Sequence, residues 1–123
     1  MSTLKVDDII EATSGNSKVF MVRAWFNWQN SGSNSLLQAH NVSSVTDIAA
    51  GSFNATFSTA FSNNQYASAG MSHTNGGTEI PAIGFSTSSS NTNTTTQRNF
   101  SAEDVDAGYV DYIMNRIICV GDQ

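Results

Sequence analysis

The sequence predicts an all-β protein, built as an antiparallel β-sandwich of jelly-roll-like type with a short N-terminal arm. β-Branched, aromatic and turn-forming residues are plentiful, whereas the strong helix formers Lys, Glu, Gln and Arg are scarce. Short apolar stretches recur between Ser-, Asn- and Gly-rich turns at about 8–12-residue intervals, as in small sandwiches. Ser, Thr, Asn and Gln together make up 48 of 123 residues, and charged residues only 12%. Hydroxyls and amides, not ionic groups, therefore solubilise this surface.

The chain is short enough for one domain, at roughly 100–200 residues per domain. We assign residues 18–123 to this domain and residues 1–17 to an arm. The apolar residues of the arm follow neither a strand nor a helix period, and they are too few to form a core. They are Leu4, Val6, Ile9 and Ile10. We expect them to pack on a neighbour, either the same domain or another subunit, as an assembly arm.

The charge pattern argues against several function classes. The net charge is −5 and none of the five cations is adjacent to another, so the chain is poorly suited to neutralising a run of phosphates.

No stretch approaches the roughly 20 apolar residues of a membrane span. The first residues contain no apolar signal region, which indicates synthesis in the cytoplasm. The single cysteine, Cys119, excludes an intrachain disulfide framework.

Residues 18–29 carry the strongest strand signal, because they are rich in β-branched and aromatic side chains. From Arg23 onward their alternation defines two faces: Arg23, Trp25 and Asn27 on one, and Ala24, Phe26 and Trp28 on the other. Both faces contain an aromatic residue. We therefore expect one tryptophan in the core and the other at an interface.

The next elements follow from alternation and turn composition. Residues 36–40 and 42–48 are predicted to be two strands, and residues 49–52 a hairpin turn. Residues 53–59 alternate apolar and polar side chains, which is typical of a strand with one buried face. Residues 65–72 alternate small side chains and are predicted to form a tightly packed strand.

The last part of the chain is more polar until its end. Residues 80–85 are predicted to form a strand, and Pro81 places it at a sheet edge. Residues 86–96 contain only Ser, Thr and Asn and indicate a loop or a pair of polar strands. Residues 109–120 are strongly apolar near their end and predict a central strand, in which Cys119 is a buried, inert thiol.

Several segments also resemble proteins of one class. They are residues 2–10, 14–16, 22–27, 41–47, 51–61, 64–67 and 111–122. In this order they resemble small β-sandwich proteins and fibre-tip domains of tailed bacteriophages, especially phages of marine bacteria and cyanobacteria. The resemblance covers about two thirds of the chain and fails at residues 86–99. The matching positions belong to the scaffold, so the resemblance concerns fold and context.

The resemblance implies a non-enzymatic structural protein of the virion, part of a tail fibre or similar appendage. Its partners would be other copies of itself in a homotrimer, other virion proteins and a glycan of the host surface. Two alternatives remain open at this stage. One is a capsid decoration or cement protein, and the other is a free carbohydrate-binding module.

No catalytic, metal or cofactor site is predicted. His40 and His73 lack ligand spacing, and the acids at 103–106 indicate a solvated turn more than a calcium loop. Glycan sites combine aromatic rings with amide groups, so the candidate receptor or interface contacts are aromatic. They are Trp25, Trp28, Tyr66 and Tyr109, with the loops 30–35 and 86–96.

Overall fold

The computed structural model describes residues 21–73, 82–84, 94–104 and 108–122. These ranges contain nine strands: β1 Val22–Gln29, β2 Ser35–His40, β3 Val42–Ala49, β4 Ser52–Phe57, β5 Ala67–His73, β6 Ala82–Gly84, β7 Gln97–Asp104, β8 Gly108–Tyr109 and β9 Met114–Val120. Every strand pairing is antiparallel. Within the same ranges, no helix is long and apolar enough to cross a membrane.

The strands follow the order β2-β1-β9-β5-β6-β7-β4-β3, with β8 paired to β7. The three-residue strand β6 joins two packed layers, which we name the β1 layer (β2, β1, β9 and β5) and the β4 layer (β8, β7, β4 and β3). The predicted all-β antiparallel sandwich is thereby confirmed. The jelly-roll-like connectivity stays a prediction, and the arm at 1–17 lies outside the described residues.

Aromatic side chains from both layers fill the space between them. Phe26 of β1 lies with its ring centroid 6.3 Å from that of Phe53 in β4 and 5.6 Å from that of Phe100 in β7. Phe57 and Phe61 extend this core at one end, with their ring centroids 4.9 Å apart. β4 alternates buried and half-buried residues as its sequence predicts, because successive side chains of a strand point to opposite faces.

Two strand expectations need correction, and one strand was not predicted. β7 was not expected, although it pairs with β4, β6 and β8 and holds the buried Phe100. Residues 82–84 do not form an edge, because β6 pairs with β5 and β7 on its two sides. The predicted strand at 109–120 is divided into β8 and β9. β9 lies between β1 and β5, so its central position is confirmed.

Candidate functional site

The outer surface of the β1 layer carries apolar and polar side chains in aligned rows. The strand register aligns two neighbouring rows across β2, β1, β9 and β5: His40, Trp25, Ile118 and Ala69 in one, and Gln38, Asn27, Arg116 and Met71 in the other. Phe26 and Ile117, which alternate with them in β1 and β9, are buried in the core. We name the eight residues of the two rows the outer face.

The outer face contains a depression of about 420 Å³. Trp25, Ile118 and Met71 line it and expose 36%, 44% and 65% of their surface. The space exists because Ala69 and Gly70 of β5 have little or no side chain to fill it. Large apolar side chains that are exposed next to one another mark interaction sites.

The strands of the β1 layer carry no acidic residue, although the protein as a whole is acidic. The four strands of the β1 layer contain two arginines and two histidines but no Asp or Glu, whereas the whole chain carries a net charge of −5. Arg116 is exposed and lines the depression. Asn27 donates a long hydrogen bond of 3.5 Å to Gln38 Oε1. The depression therefore suits an apolar ligand that also carries negative charge.

The structure separates the four aromatic candidates. Trp25 lies on the outer face, whereas Tyr109 is 52% exposed on β8 of the β4 layer. Trp28 and Tyr66 are only 3% and 5% exposed and belong to the core. This corrects the expectation that their rings are available on the surface. Trp28 shares the inward side of β1 with Phe26, and its ring centroid lies 6.4 Å from that of Phe53.

Tyr66 serves as a structural anchor. Its hydroxyl donates toward the carbonyl oxygens of Thr94 and Gln97, at 3.0 and 3.3 Å. The Arg98 guanidinium lies over its ring, 4.9 Å from the centroid, and donates to the Tyr66 carbonyl oxygen at 3.3 Å. Burial raises the pKa of Tyr66. The ring face and the carbonyl oxygen of Tyr66 both stabilise the buried Arg98 guanidinium.

Cys119 is fully buried, as predicted. Ser68 Oγ donates to its sulfur at 3.3 Å. Burial raises the pKa of the thiol, which keeps it protonated and unreactive.

A polar network around the buried Asn30 and Asn115 ties together one end of the sandwich. Asn30 donates from Nδ2 to Asp111 Oδ1 at 3.0 Å, and the same carboxylate oxygen accepts from the Gly51 amide at 2.6 Å. Asn115 donates to Asn30 Oδ1 at 2.9 Å. The Tyr112 amide donates to that same oxygen at 3.1 Å. These polar residues hold loops in place and were not identified from the sequence.

The remaining polar candidates do not converge. His40 and His73 are exposed on β2 and β5. Glu103 and Asp104 belong to β7, not to a turn, and among the described residues no three His, Cys, Asp or Glu side chains could hold a metal ion.

Comparisons of the chain with protein-family models, curated proteins and solved structures gave no match.

Proposed function

We propose that this protein is a non-enzymatic structural component of a phage virion, in a tail fibre or similar appendage, and that it forms a homo-oligomer through the outer face of the β1 layer. The observation that carries the proposal is the contiguous, exposed apolar set of Trp25, Ile118 and Met71. The phage context and the trimer rest on the resemblance of the scaffold segments to phage appendage proteins.

The energetics favour coverage of this face. Full burial of an Ile- or Met-sized side chain contributes about 1.5–3 kcal/mol. Ile118 and Met71 still expose 44% and 65% of their surface, so each would gain about 1 kcal/mol in an interface. Tryptophan is enriched among the residues that dominate interface energy. Trp25 lies opposite Ile118 in the β1–β9 pair and lines the same depression as Met71.

The free edges of the sheet are less suited to association than the face. β2 and β3 end the strand order. β2 contains one extra residue that disrupts its pairing, and β3 contains two. These residues are Leu37 in β2, and Ser43 and Ile48 in β3. Bulges at an edge bend the strand and hinder the addition of another strand. They also explain why Leu37 and Ile48 are exposed.

A free carbohydrate-binding module is the second candidate, favoured by the Trp25 ring beside the Asn27 amide and the Arg116 guanidinium. A sugar requires a ring face together with several directed hydrogen bonds. The lining of this depression is mostly apolar, and Asn27 is already directed toward Gln38. A protein surface therefore fits it better than a sugar.

The virion proposal is tested by imaging. Antibodies against the protein should label the tail or its appendages in electron micrographs of phage particles. Label confined to the capsid would instead support a decoration protein. No label on any virion, together with glycan-array binding by a monomeric protein, would overturn the proposal in favour of the carbohydrate-binding module.

A further inference from the structure

We infer that the depression on the outer face is occupied by residues 4–11 of a second copy of this chain. The inference rests on the proposed homo-oligomer and names the contact that would hold it together. Charge, apolar content and reach support it.

Charge disfavours the simplest alternative, in which two outer faces pack directly against each other. Such packing would bring the Arg116 side chains of two copies close together, in layers that carry no Asp or Glu to offset them. Like charges brought together in an interface disfavour that arrangement. The occupant should therefore carry carboxylates alongside apolar groups.

Residues 4–11, with the sequence LKVDDIIE, have this composition. Their apolar members are Leu4, Val6, Ile9 and Ile10, and their charged members are Lys5, Asp7, Asp8 and Glu11. The three acids and one lysine give the segment a net charge of −2. Its aliphatic groups match Trp25, Ile118 and Met71, and its carboxylates match Arg116.

Size and reach are compatible with this contact. The depression, at about 420 Å³, is larger than the roughly 150 Å³ apolar cavity that holds one benzene molecule, so it can accept more than one aliphatic side chain. Nine residues, 12–20, lie between the segment and Met21. Fully extended, they span about 30 Å, whereas a four-stranded layer is about 15 Å wide.

A charge exchange in the full-length chain tests the contact. Arg116→Glu, and separately Asp7→Lys with Asp8→Lys, should each weaken self-association at least about tenfold, measured as the apparent Kd by sedimentation. The combined variant should recover an apparent Kd within about threefold of wild type. Asp47→Lys with Asp122→Lys makes the same charge change away from the outer face and is the control.

Two results would overturn the inference. In the first, neither charge change weakens self-association of the wild-type oligomer. In the second, the combined variant recovers none of the lost affinity. In both cases the proposed homo-oligomer would stand and only the occupant would be wrong. A wild-type chain that is monomeric at every concentration would instead refute the homo-oligomer itself.

Cross-linking shows which copy supplies the segment. Full-length chains with Lys5→Cys are mixed with full-length chains carrying Ala69→Cys and treated with a short bismaleimide. The expected product is a cross-linked pair of one chain of each kind. Wild type is the control, because its buried Cys119 should not react. A third chain carries both substitutions. Cross-linking within this chain, with no product that joins two chains, would show that the segment binds its own domain and would overturn the inference.

Discussion

Removal of the Asn115 side chain should destabilise the protein more than any change of a surface amide. Asn115 is completely buried. It donates to the Trp28 carbonyl oxygen at 3.2 Å and to Asn30 Oδ1 at 2.9 Å, and it accepts a short hydrogen bond from Ser72 Oγ. A hydrogen bond contributes about 1 kcal/mol, and a buried group left unpaired costs about 1–3 kcal/mol. Asn115→Ala should therefore lower the free energy of unfolding by about 3–5 kcal/mol.

The measurement is urea denaturation followed by tryptophan fluorescence, at one fixed protein concentration because oligomerisation adds to apparent stability. Asn34→Ala is the matched control. It removes one exposed hydrogen bond, from Asn34 Nδ2 to Asp47 Oδ2 at 2.8 Å, and should cost about 0.5 kcal/mol. A loss below about 1 kcal/mol for Asn115→Ala, or one equal to that of Asn34→Ala, would refute the role assigned to the network.

Further predictions concern backbone space and the buried thiol. Gly51→Ala should cost at least about 2 kcal/mol, because its new Cβ would lie 2.5 Å from the Ala102 carbonyl oxygen at a φ of +65°. Gly32→Ala, with a φ of +87° and no atom within 4 Å of its Cβ, should cost less in the same denaturation assay. Native Cys119 should resist a thiol reagent that labels it rapidly in urea, and rapid native labelling would contradict its burial. Because burial raises the pKa of Cys119 above its ordinary 9.0, the folded thiol keeps a proton that the unfolded thiol loses. The contribution of this thiol to the free energy of unfolding should then be fully present below about pH 9 and should decline above it. The decline should be less steep in Cys119→Ala. Equal slopes for wild type and this variant would contradict the expectation.

Alternation along strands could be predicted from the sequence wherever one face is apolar. In β1 it separated Trp25 from Trp28, and in β4 it identified Phe53, Ala55 and Phe57 as core residues. These predictions succeeded because a two-residue period is imposed by the backbone itself. No knowledge of the partner strands was needed.

β7 was missed because its contacts are not local. Arg98, Asn99 and Ser101 are buried although they are polar, and they extend a polar run in which Phe100 is the only large apolar side chain. Their burial depends on pairing with β4, more than forty residues earlier in the chain. Tyr66 was misplaced for a related reason, since it precedes β5 and its contacts with Arg98 arise only in the folded sandwich.

The outer face could be predicted only in part. The sequence indicated that one face of β1 meets a partner, but the depression also requires β9 and β5 to lie beside β1 in this register. The sequence does not reveal which strands are neighbours in the sheet. It therefore could not show that four strands without Asp or Glu lie side by side.

The most direct test of the outer face as a subunit interface is the molecular mass of the full-length chain in solution, measured by light scattering across concentration. Wild type should form a discrete oligomer, a trimer of the 13.1 kDa chain. Trp25→Ser should raise the apparent Kd at least about tenfold, equivalent to about 1.4 kcal/mol. Tyr109→Ser removes an exposed aromatic ring from the β4 layer and should leave the mass unchanged. A wild-type mass of one chain at every concentration, or equal effects of the two substitutions, would contradict the account.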